Sequence, residues 1–475
     1  MKFLSLAKIG TLIAILAALM FGLGMVQEVV RDRNAHRNVA VNSVANSIAG
    51  NQTVVGPMMH SACVETWDIV RKGADLAPIE ERREFMLMAL PETLSIQSNT
   101  AIAPRSRGLF PVNVFTMKAQ LQAQWPSLQK LKPVGTMKNS RITCGAPMVM
   151  LAVADPRGVR SAKMTVDGNS YTLKAGTFHP VYSRGVHAML PDALRSKTDL
   201  TTAHIELELV GTERLSIVPL GDTTQVRMQS NWPHPSFGGR FAPADNIKTD
   251  KGFDATWRVT SMASSAGQSV LNASPTCANN SESPEDGFYG SARETASAAA
   301  GAPGAGKGCA ETLQISFIDP VNPYSLSDRA TKYGLLFIVL TFVAVGLFEL
   351  MSRLRVHPIQ YFLVGSAISI FFLLLVSLSE HLGFNESYAA AATACVLLLT
   401  YYASYMLGGL RRGVPFGLGV GLLYGLLFVL LQLEQTALVV GAMALFVVLA
   451  LVMALTRKID WYRLSFADAS NRTGV

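Results

Sequence analysis

Charged side chains are scarce in this sequence. Asp, Glu, Lys and Arg account for 16% of its 475 residues, where soluble domains carry about 25%, so part of the chain is built for a medium other than water. The shortage is local. Residues 27 to 330 read as an ordinary polar and apolar mixture, whereas the stretch after Tyr333 is almost all apolar. Basic helices and aromatic-plus-basic stripes are missing too, so the formal net charge of +8 does not point to a nucleic-acid partner. Neither G-x-S-x-G nor H-E-x-x-H occurs, which leaves no catalytic residue to name and no metal or other cofactor to expect. Cysteine is sparse, at five residues, and no pair of them has zinc or redox spacing.

What the second half has instead is long apolar runs. Crossing about 30 Å of hydrocarbon takes roughly 20 mostly apolar residues. Six stretches qualify: Ile9–Val26, Tyr333–Leu350, Ile359–Ser379, Tyr388–Leu407, Pro415–Leu433 and Thr436–Thr456, with Glu349 their one charged residue. Basic residues mark the cytoplasmic side of a span. Arg353 and Arg355 separate the second and third, Arg411 and Arg412 the fourth and fifth, and Arg457, Lys458 and Arg463 follow the sixth. The opposite short loops, around His381 and Glu434, have no Lys or Arg. The pattern puts residues 1–8 and the tail 458–475 in the cytoplasm, spans at 9–26 and within 331–457, and residues 27–330 outside. The first span has the basic start of a signal peptide. Its 18 apolar residues exceed the 7–15 of a cleavable core and no small-x-small site follows, so it reads as an uncleaved anchor. Arg31, Arg33 and Arg37 open a long translocated segment, where charge has little topological force.

From Gln27 to about Ala49 the chain can continue as a helix; beyond it, strand signals dominate. "QTVVGPMM", "GLFPVNVFTMKAQL", "APMVMLAVADPRG", "TAHIELELVGTERLSIVPL", "TTQVRMQSNW" and "GFDATWRVTSM" carry β-branched or alternating apolar residues. "AKMTVDGNSYTL" reads as a hairpin turning at Asp167-Gly168. Frequent Gly and Pro between these runs predict one or two packed antiparallel sheets. The fold class is therefore a membrane protein: a six-span α-helical transmembrane bundle with a large mainly-β periplasmic domain. From residue 263 to 310 Ala, Gly, Ser and Pro take over, too poor in apolar area to offset ordering entropy, and a disordered insertion is expected. Cys63, Cys144, Cys277 and Cys309 fall outside, where disulfides persist. A Cys277–Cys309 bridge would close the insertion at its base and Cys63–Cys144 would complete the set, one of the three pairings that four cysteines allow. Cys395 falls in a span as a small packing residue.

Trp232-Pro233-His234-Pro235, with Phe237 just beyond, has the richest chemistry outside the membrane. Two prolines fix φ near −65° and exclude regular strand, so the favoured reading is a rigid corner with Trp232 plugging the core. The alternative is a recognition site in which Trp232 stacks a ligand and His234 titrates near neutral pH. Asp328, Arg329, Lys332 and Tyr333 sit where the outer domain meets lipid: Asp328 as a helix N-cap, Arg329 and Lys332 toward headgroups, Tyr333 in the interfacial belt. Glu349 and Arg353 are spaced for a pair at a span end. Glu380 and His381, at the outer end of the third span, read as a solvated end, with a small polar site beneath the outer domain as the alternative. Gly413, Gly417, Gly421 and Gly425 recur every four residues on the fifth span, which predicts close packing against another span or another copy of the chain.

Several stretches resemble signatures of the CreD family of bacterial inner-membrane proteins. They are "SNWPHPSFGGRFAP" (Ser230 to Pro243), "SDRATKYGLLFIVLTFVAVGLFE" (Ser327 to Glu349), "HPIQYFLVG" (His357 to Gly365), "LSEHLGF" (Leu378 to Phe384) and "IDWY" (Ile459 to Tyr462), with "VGPMM", "DPRGV" and "GVHAML" in the outer domain. The order matches over nearly the whole chain; residues 263–310 are the departure. The resemblance implies an envelope-integrity protein made under a two-component stress regulon that responds to nutrient state and cell-wall damage, linked to tolerance of envelope-directed toxins and to the β-lactam response. It supplies no catalytic residue. The function expected is a non-enzymatic inner-membrane protein of the envelope stress response. Its periplasmic domain would bind a ligand or a periplasmic or wall-associated protein, with the lipid bilayer and a second copy of the chain as further contacts. One competing reading is a transporter of a lipid-like or apolar substrate. Spans almost free of ionisable residues and of paired broken helices argue against it. The other is a membrane-anchored enzyme, which needs titratable side chains gathered in one pocket.

Overall fold

The computed structural model describes residues 2–69, 79–108, 110–277, 309–319, 323–352, 356–406, 408–433 and 437–457. Two compact units emerge, a helical one (Met1–Arg37 with Val321–Val475) and a β unit (Asn38–Pro320). Helix α1, Lys2–Ser47, runs through the boundary between them, because nothing from Gln27 to Ala49 breaks a helix and Gly50 is the first residue that does. The expected edge of the outer domain at residue 27 is therefore a point inside a helix.

In chain order the strands are β1 (Gln52–Ile69), β2 (Ile79–Ala89), β3 (Thr93–Arg107), β4 (Phe110–Trp125), β5 (Arg141–Cys144) and β6 (Met148–Val153). There follow β7 (Val159–Val166), β8 (Asn169–Tyr171), β9 (Lys174–Ala175), β10 (Gly185–Met189), β11 (Thr201–Thr212) and β12 (Arg214–Ile217). The last are β13 (Thr223–Ser230), β14 (Ser236–Gly239), β15 (Asp245–Thr249), β16 (Gly252–Thr260) and β17 (Leu313–Ser316). They form two sheets. The nine-stranded one runs β14-β17-β12-β1-β6-β10-β9, with β2 and β5 also paired to β1, and the eight-stranded one runs β15-β16-β13-β3-β4-β11-β7-β8. Pairing is antiparallel except at β1–β12 and β13–β3.

Period-two alternation makes the two sheets stack. β13 alternates exposed and buried at every position. Leu94, Ile96, Leu121, Ile205, Val226 and Met228 of the smaller sheet share one core with Met59, Val149 and Leu215 of the larger, and Trp125 and Trp257 fill it. Each such aliphatic side chain contributes about 1.5–3 kcal/mol on burial. The hairpin turn sits at Asp167 (φ 50°) and Gly168 (φ 83°), the two left-handed residues such a turn requires. At Glu213 (φ 53°) the chain steps from β11 in one sheet to β12 in the other.

The "DPRGV" stretch ties the end of α1 to the sandwich. Asp155 accepts from the Gly50 amide at 3.1 Å and from the Arg157 guanidinium at 2.6 Å. Arg157 in turn donates to the carbonyls of Ala45 and Asn46 in the last turn of α1, satisfying acceptors that the helix leaves over. Gly158 is obligatory here, since a Cβ would collide with the Val210 carbonyl and Gln52. The expected start of the insertion at 263 is too early. Ala266–Leu271 forms helix α2, with Ala266 and Val270 buried in the core, because these residues, unlike the Ala/Gly run, bring apolar side chains. That run, residues 278–308, lies outside the described residues, and with it the expectation of disorder.

The helical unit adds α3 (Pro323–Lys332), α4 (Gly334–Ser352), α5 (Pro358–Ser379), α6 (Phe384–Met406), α7 (Leu410–Gln432) and α8 (Ala437–Thr456). Each of the six apolar stretches falls on one of these or on α1. Four helices, α1 from Gly10, α5, α6 and α7, are long and apolar enough to cross a membrane. The α3–α4 pair, bent by 40° at Tyr333, makes a fifth if taken as one span, and Val439–Ala454 is a shorter apolar helix. Two boundaries differ from expectation. Residues 323–330 belong to this unit and not to the outer domain, and Arg411 and Arg412 stand in the first turn of α7 instead of in a loop.

Candidate functional site

The segment Trp232–Phe237 carries the chain from β13 to β14, again from one sheet to the other. The Trp232 indole donates to the His234 carbonyl at 2.8 Å, and its backbone amide donates to the Ser230 hydroxyl at 3.2 Å. Trp232 is half-buried against the core, Pro233 is half-buried, Pro235 is buried and His234 is exposed. Phe237 meets Phe253 and Trp257 edge-on, with centroids 5.6 and 5.5 Å apart, and Lys248 lies 5.1 Å over its ring. The arrangement is a rigid corner with an imidazole at its tip.

Cys63 is disulfide-bonded to Cys144 across β1 and β5, and Cys277 to Cys309. Two carboxylates stiffen the β unit. Glu65 accepts from the hydroxyls of Ser140 and Thr136, the amides of Thr136 and Met137, and Arg83; the Ser140 hydrogen bond leads in holding it down to about 2. Asp155 is also held down to about 2, first by Arg157.

Within the helical unit, Asp328 does not cap a helix. The helix begins at Pro323, so Asp328 lies inside α3, where it pairs with Lys332 at 2.7 Å. Arg329 shares that last turn and Tyr333 marks the bend. Glu349 accepts from the Tyr361 hydroxyl at 2.8 Å and the Val356 amide at 3.3 Å; its expected partner Arg353 lies outside the described residues. Glu380 is not a solvated end. Its side chain is 11% exposed and pairs with Arg33 at 3.1 Å, since α1 outlasts its apolar run and brings Arg33 alongside; His381 is exposed. Cys395 is a buried free thiol beside the Tyr424 hydroxyl. Gly413 and Gly417 let α7 close on α6: an added Cβ would come within 2.6 Å of Ser404 Cα and 2.8 Å of Thr400 Cβ. Further along the helices part. Val396 is 3.8 Å from a Cβ at Gly421, and nothing lies within 4 Å of one at Gly425. The gap is an apolar cleft of about 420 Å³ between Tyr388, Ala392, Val396, Gly425 and Phe428.

The outward face of the eight-stranded sheet holds a polar groove of about 540 Å³. Its floor is a row across five strands, Arg227–Gln97–Gln120–Glu206–Lys163, each residue directly opposite the next. A second row, Gln229–Asn99–Lys118–Glu208–Ser161, runs beside it. Both rows line the groove. Arg227 also holds Asp254 at 2.7 Å, which lowers the Asp254 carboxyl below its ordinary value. The ten positions of these two rows thus offer amide, hydroxyl, ammonium, guanidinium and carboxylate groups, and no aliphatic or aromatic side chain interrupts either row.

Sequence reasoning passed over three histidines of the β unit. His60 on β1, His187 on β10 and His179 between β9 and β10 are at most 2% exposed. His60 Nε2 meets the Thr177 carbonyl at 2.8 Å and His187 Nδ1 the Gly176 carbonyl at 2.7 Å. His179 Nδ1 accepts from the amides of Val181 and Tyr182. The second nitrogen of each ring, His60 Nδ1, His187 Nε2 and His179 Nε2, is buried and unpartnered. Burial lowers the pKa of His60 and brings His179 down to about 4, with repulsion from His60 adding to the latter. Burial pushes Tyr182 up to about 12; its hydroxyl donates to the Ser274 carbonyl. The signal was there to read, in that "GPMMHS" and "GVHAML" each place a histidine inside an apolar strand. Among the described residues no group of three or more His, Cys, Asp or Glu is placed to hold a metal ion.

Comparison with known proteins gives a consistent picture. The family model described as Inner membrane protein CreD matches residues 5–462. Inner membrane protein CreD of Escherichia coli (strain K12) is 30% identical over 459 residues, 96% of this chain and 94% of that protein. Among solved structures, a mutant M1 zinc metallopeptidase from Deinococcus radiodurans matches 35% of this chain and 38% of its own at 12% identity and a TM-score of 0.19. The InvG secretin domain β-barrel from Salmonella matches 35% of this chain and 64% of its own, at 10% identity and a TM-score of 0.06. Likenesses that weak carry no argument about fold or chemistry.

Proposed function

The chain belongs to the CreD family of inner membrane proteins, and from that premise we propose a non-enzymatic envelope-integrity protein of the stress response. It crosses the inner membrane six times with both termini in the cytoplasm, and its β unit binds a polar periplasmic or wall-associated partner along the groove of the eight-stranded sheet. The observation that carries this reading is the pair of uninterrupted polar rows. A sheet needs only a polar outward face to be soluble. Here that face also forms a groove of about 540 Å³ in which donors and acceptors of both charges converge, which suits a hydrated, hydrogen-bonding partner and not an apolar one. Two disulfides fit an oxidising compartment, and the basic residues at the cytoplasmic span ends fit the orientation.

The test is photo-crosslinking in intact cells from position 120 in the groove floor, with position 262, on an exposed turn, as the control. A discrete envelope adduct is expected from 120, absent from 262 and lost when Lys118 and Arg227 are both changed to Glu. Adducts that survive that double change, or none at all from a well-folded protein, would sink the groove as the binding surface. One observation favours a second reading, the handling of a lipid-like substrate: the apolar cleft between α6 and α7 has room for an acyl chain. Adducts to lipid from position 425, and none from 120, would decide for it.

A further inference from the structure

The nine-stranded sheet carries a second feature, on one of its faces, that goes beyond partner binding at the groove. Side chains on adjacent strands in register share a face, as do those two residues apart along one strand. Two neighbouring rows of the sheet are built of methionine and histidine over β1, β6 and β10, with Lys174 of β9 in register beyond His187. One is Met58–Met150–His187 and the other Met88–His60–Met148–Met189, across β2, β1, β6 and β10. The alternate positions Met59, Val149 and Ala188 point to the opposite face, and Met58 and Met150 are buried in the same hydrophobic cluster as they are. Both histidines bond to consecutive carbonyls, those of Gly176 and Thr177, which places their rings on the same side of the sheet.

Ordinary packing accounts for a methionine or two on such a face. It does not account for two imidazoles beside them, fully buried, each with one nitrogen left over. A ring nitrogen that bonds a backbone carbonyl carries the proton, so His60 Nδ1 and His187 Nε2 are bare lone pairs. That is how metal-binding histidines are held: one nitrogen is fixed by a carbonyl and the other presented to the ion. Met148 is directly opposite His60 and Met150 directly opposite His187, so β6 sets two thioethers between two imidazoles. Hard or borderline ions want carboxylate, thiolate or a third histidine; His179 lies near His60, with ring centroids 6.2 Å apart, but among the described residues no three His, Cys, Asp or Glu are placed to hold an ion. Thioether with imidazole is the donor set of a soft, monovalent ion. Access is open along the second row, where Met88 is half-buried and Met189 is 46% exposed.

We propose that His60, Met148, Met150 and His187 form a binding site for one Cu(I) ion. Met88 and Met189 would pass the ion in from the surface, and the Gly176–Tyr182 segment would orient the two rings.

The test is a Cu(I) titration of the full-length protein in detergent, with ascorbate as reductant and a chromogenic Cu(I) chelator as competitor. One equivalent is expected to be withdrawn from the chelator, with Zn(II) failing to displace it. Met148→Leu with Met150→Leu, which preserves side-chain volume, is expected to weaken binding at least tenfold while the thermal midpoint stays within a few degrees. His187→Gln serves as an independent variant should that pair fail to fold, and is expected to weaken binding at least as much. X-ray absorption on the loaded protein is expected to show both sulfur and nitrogen around copper. No withdrawal of Cu(I), wild-type affinity in a folded variant, or a copper environment without sulfur would each overturn the site. None of these outcomes bears on the groove, whose own test uses a different sheet.

Discussion

In the β unit, Ile96, Leu121, Ile205 and Val226 point inward, and Gln97, Gln120, Glu206 and Arg227 point out. In the helical unit, Ile370, Leu398, Leu418, Leu422 and Phe446 are 57 to 74% exposed, while Thr341, Ser387 and Tyr424 are buried. The same residue types are sorted in opposite senses because the two units meet different solvents. Water drives apolar area together in the sandwich. Lipid does not, so the helices are held by close fit and by polar contacts kept inside, such as Gly417 against Thr400 and Tyr388 on the Tyr424 carbonyl. Burial therefore means stability in one unit, and exposure of the same side chains means correct placement in the other.

That contrast can be broken by substitution, and the strongest break is in the sandwich. Trp257→Ala empties a site with no solvent exposure and is expected to cost about 3–5 kcal/mol, seen as a fall in the unfolding midpoint followed by tryptophan fluorescence. Four of the five tryptophans, at 67, 125, 232 and 257, lie in the β unit, so the signal reports on it. Next comes a charge on the lipid face. Leu422→Arg, at 74% exposure, is expected to oppose insertion by about 2.5–3.5 kcal/mol, read as loss of protein from the membrane fraction. Gln120→Arg on the sandwich surface is expected to leave the yield unchanged. A smaller effect sharpens the helical side: Gly417→Val is expected to cost about 1–3 kcal/mol by overpacking against Thr400, and Gly425→Val almost nothing, by thermal stability in detergent. Equal losses at both positions would mean that the glycine face is not what joins α6 to α7.

Acid separates the units by chemistry. Glu65 and Asp155 sit at about 2 in the folded protein, against ordinary values of 4.5 and 3.8. Folding depresses both, so their contribution is complete above about pH 4.5 and is lost as pH falls toward 2. The β unit's unfolding midpoint is expected to drop through that window, and to drop less in Asp155→Asn, which starts lower and has less to lose.

How much of this was legible in the sequence depended on the range of the signal. The apolar stretches and the Asp167-Gly168 turn are local patterns, and helices or a turn stand where they do. β2 carried a weaker signal, because "IEERREF" puts five charges in the exposed half of a strand that pairs with β1. The outer domain was misjudged at both boundaries, since α1 extends past its apolar run and the polar helix α3 precedes the apolar run of α4. Asp328 was read as a cap because the start of α3 at Pro323 leaves no apolar mark. The polar groove and the Met/His rows were invisible for a different reason. Their members come from strands more than a hundred residues apart in some pairs, such as Gln97 with Arg227 and His60 with His187, and only the register brings them into line.

The central claim is that the β unit faces the periplasm. Met262 is 94% exposed on a turn of that unit, so Met262→Cys provides a thiol for a membrane-impermeant maleimide. The account predicts labelling in intact spheroplasts, as strong as after lysis. Labelling that appears only once the membrane is broken would put the β unit in the cytoplasm and contradict it.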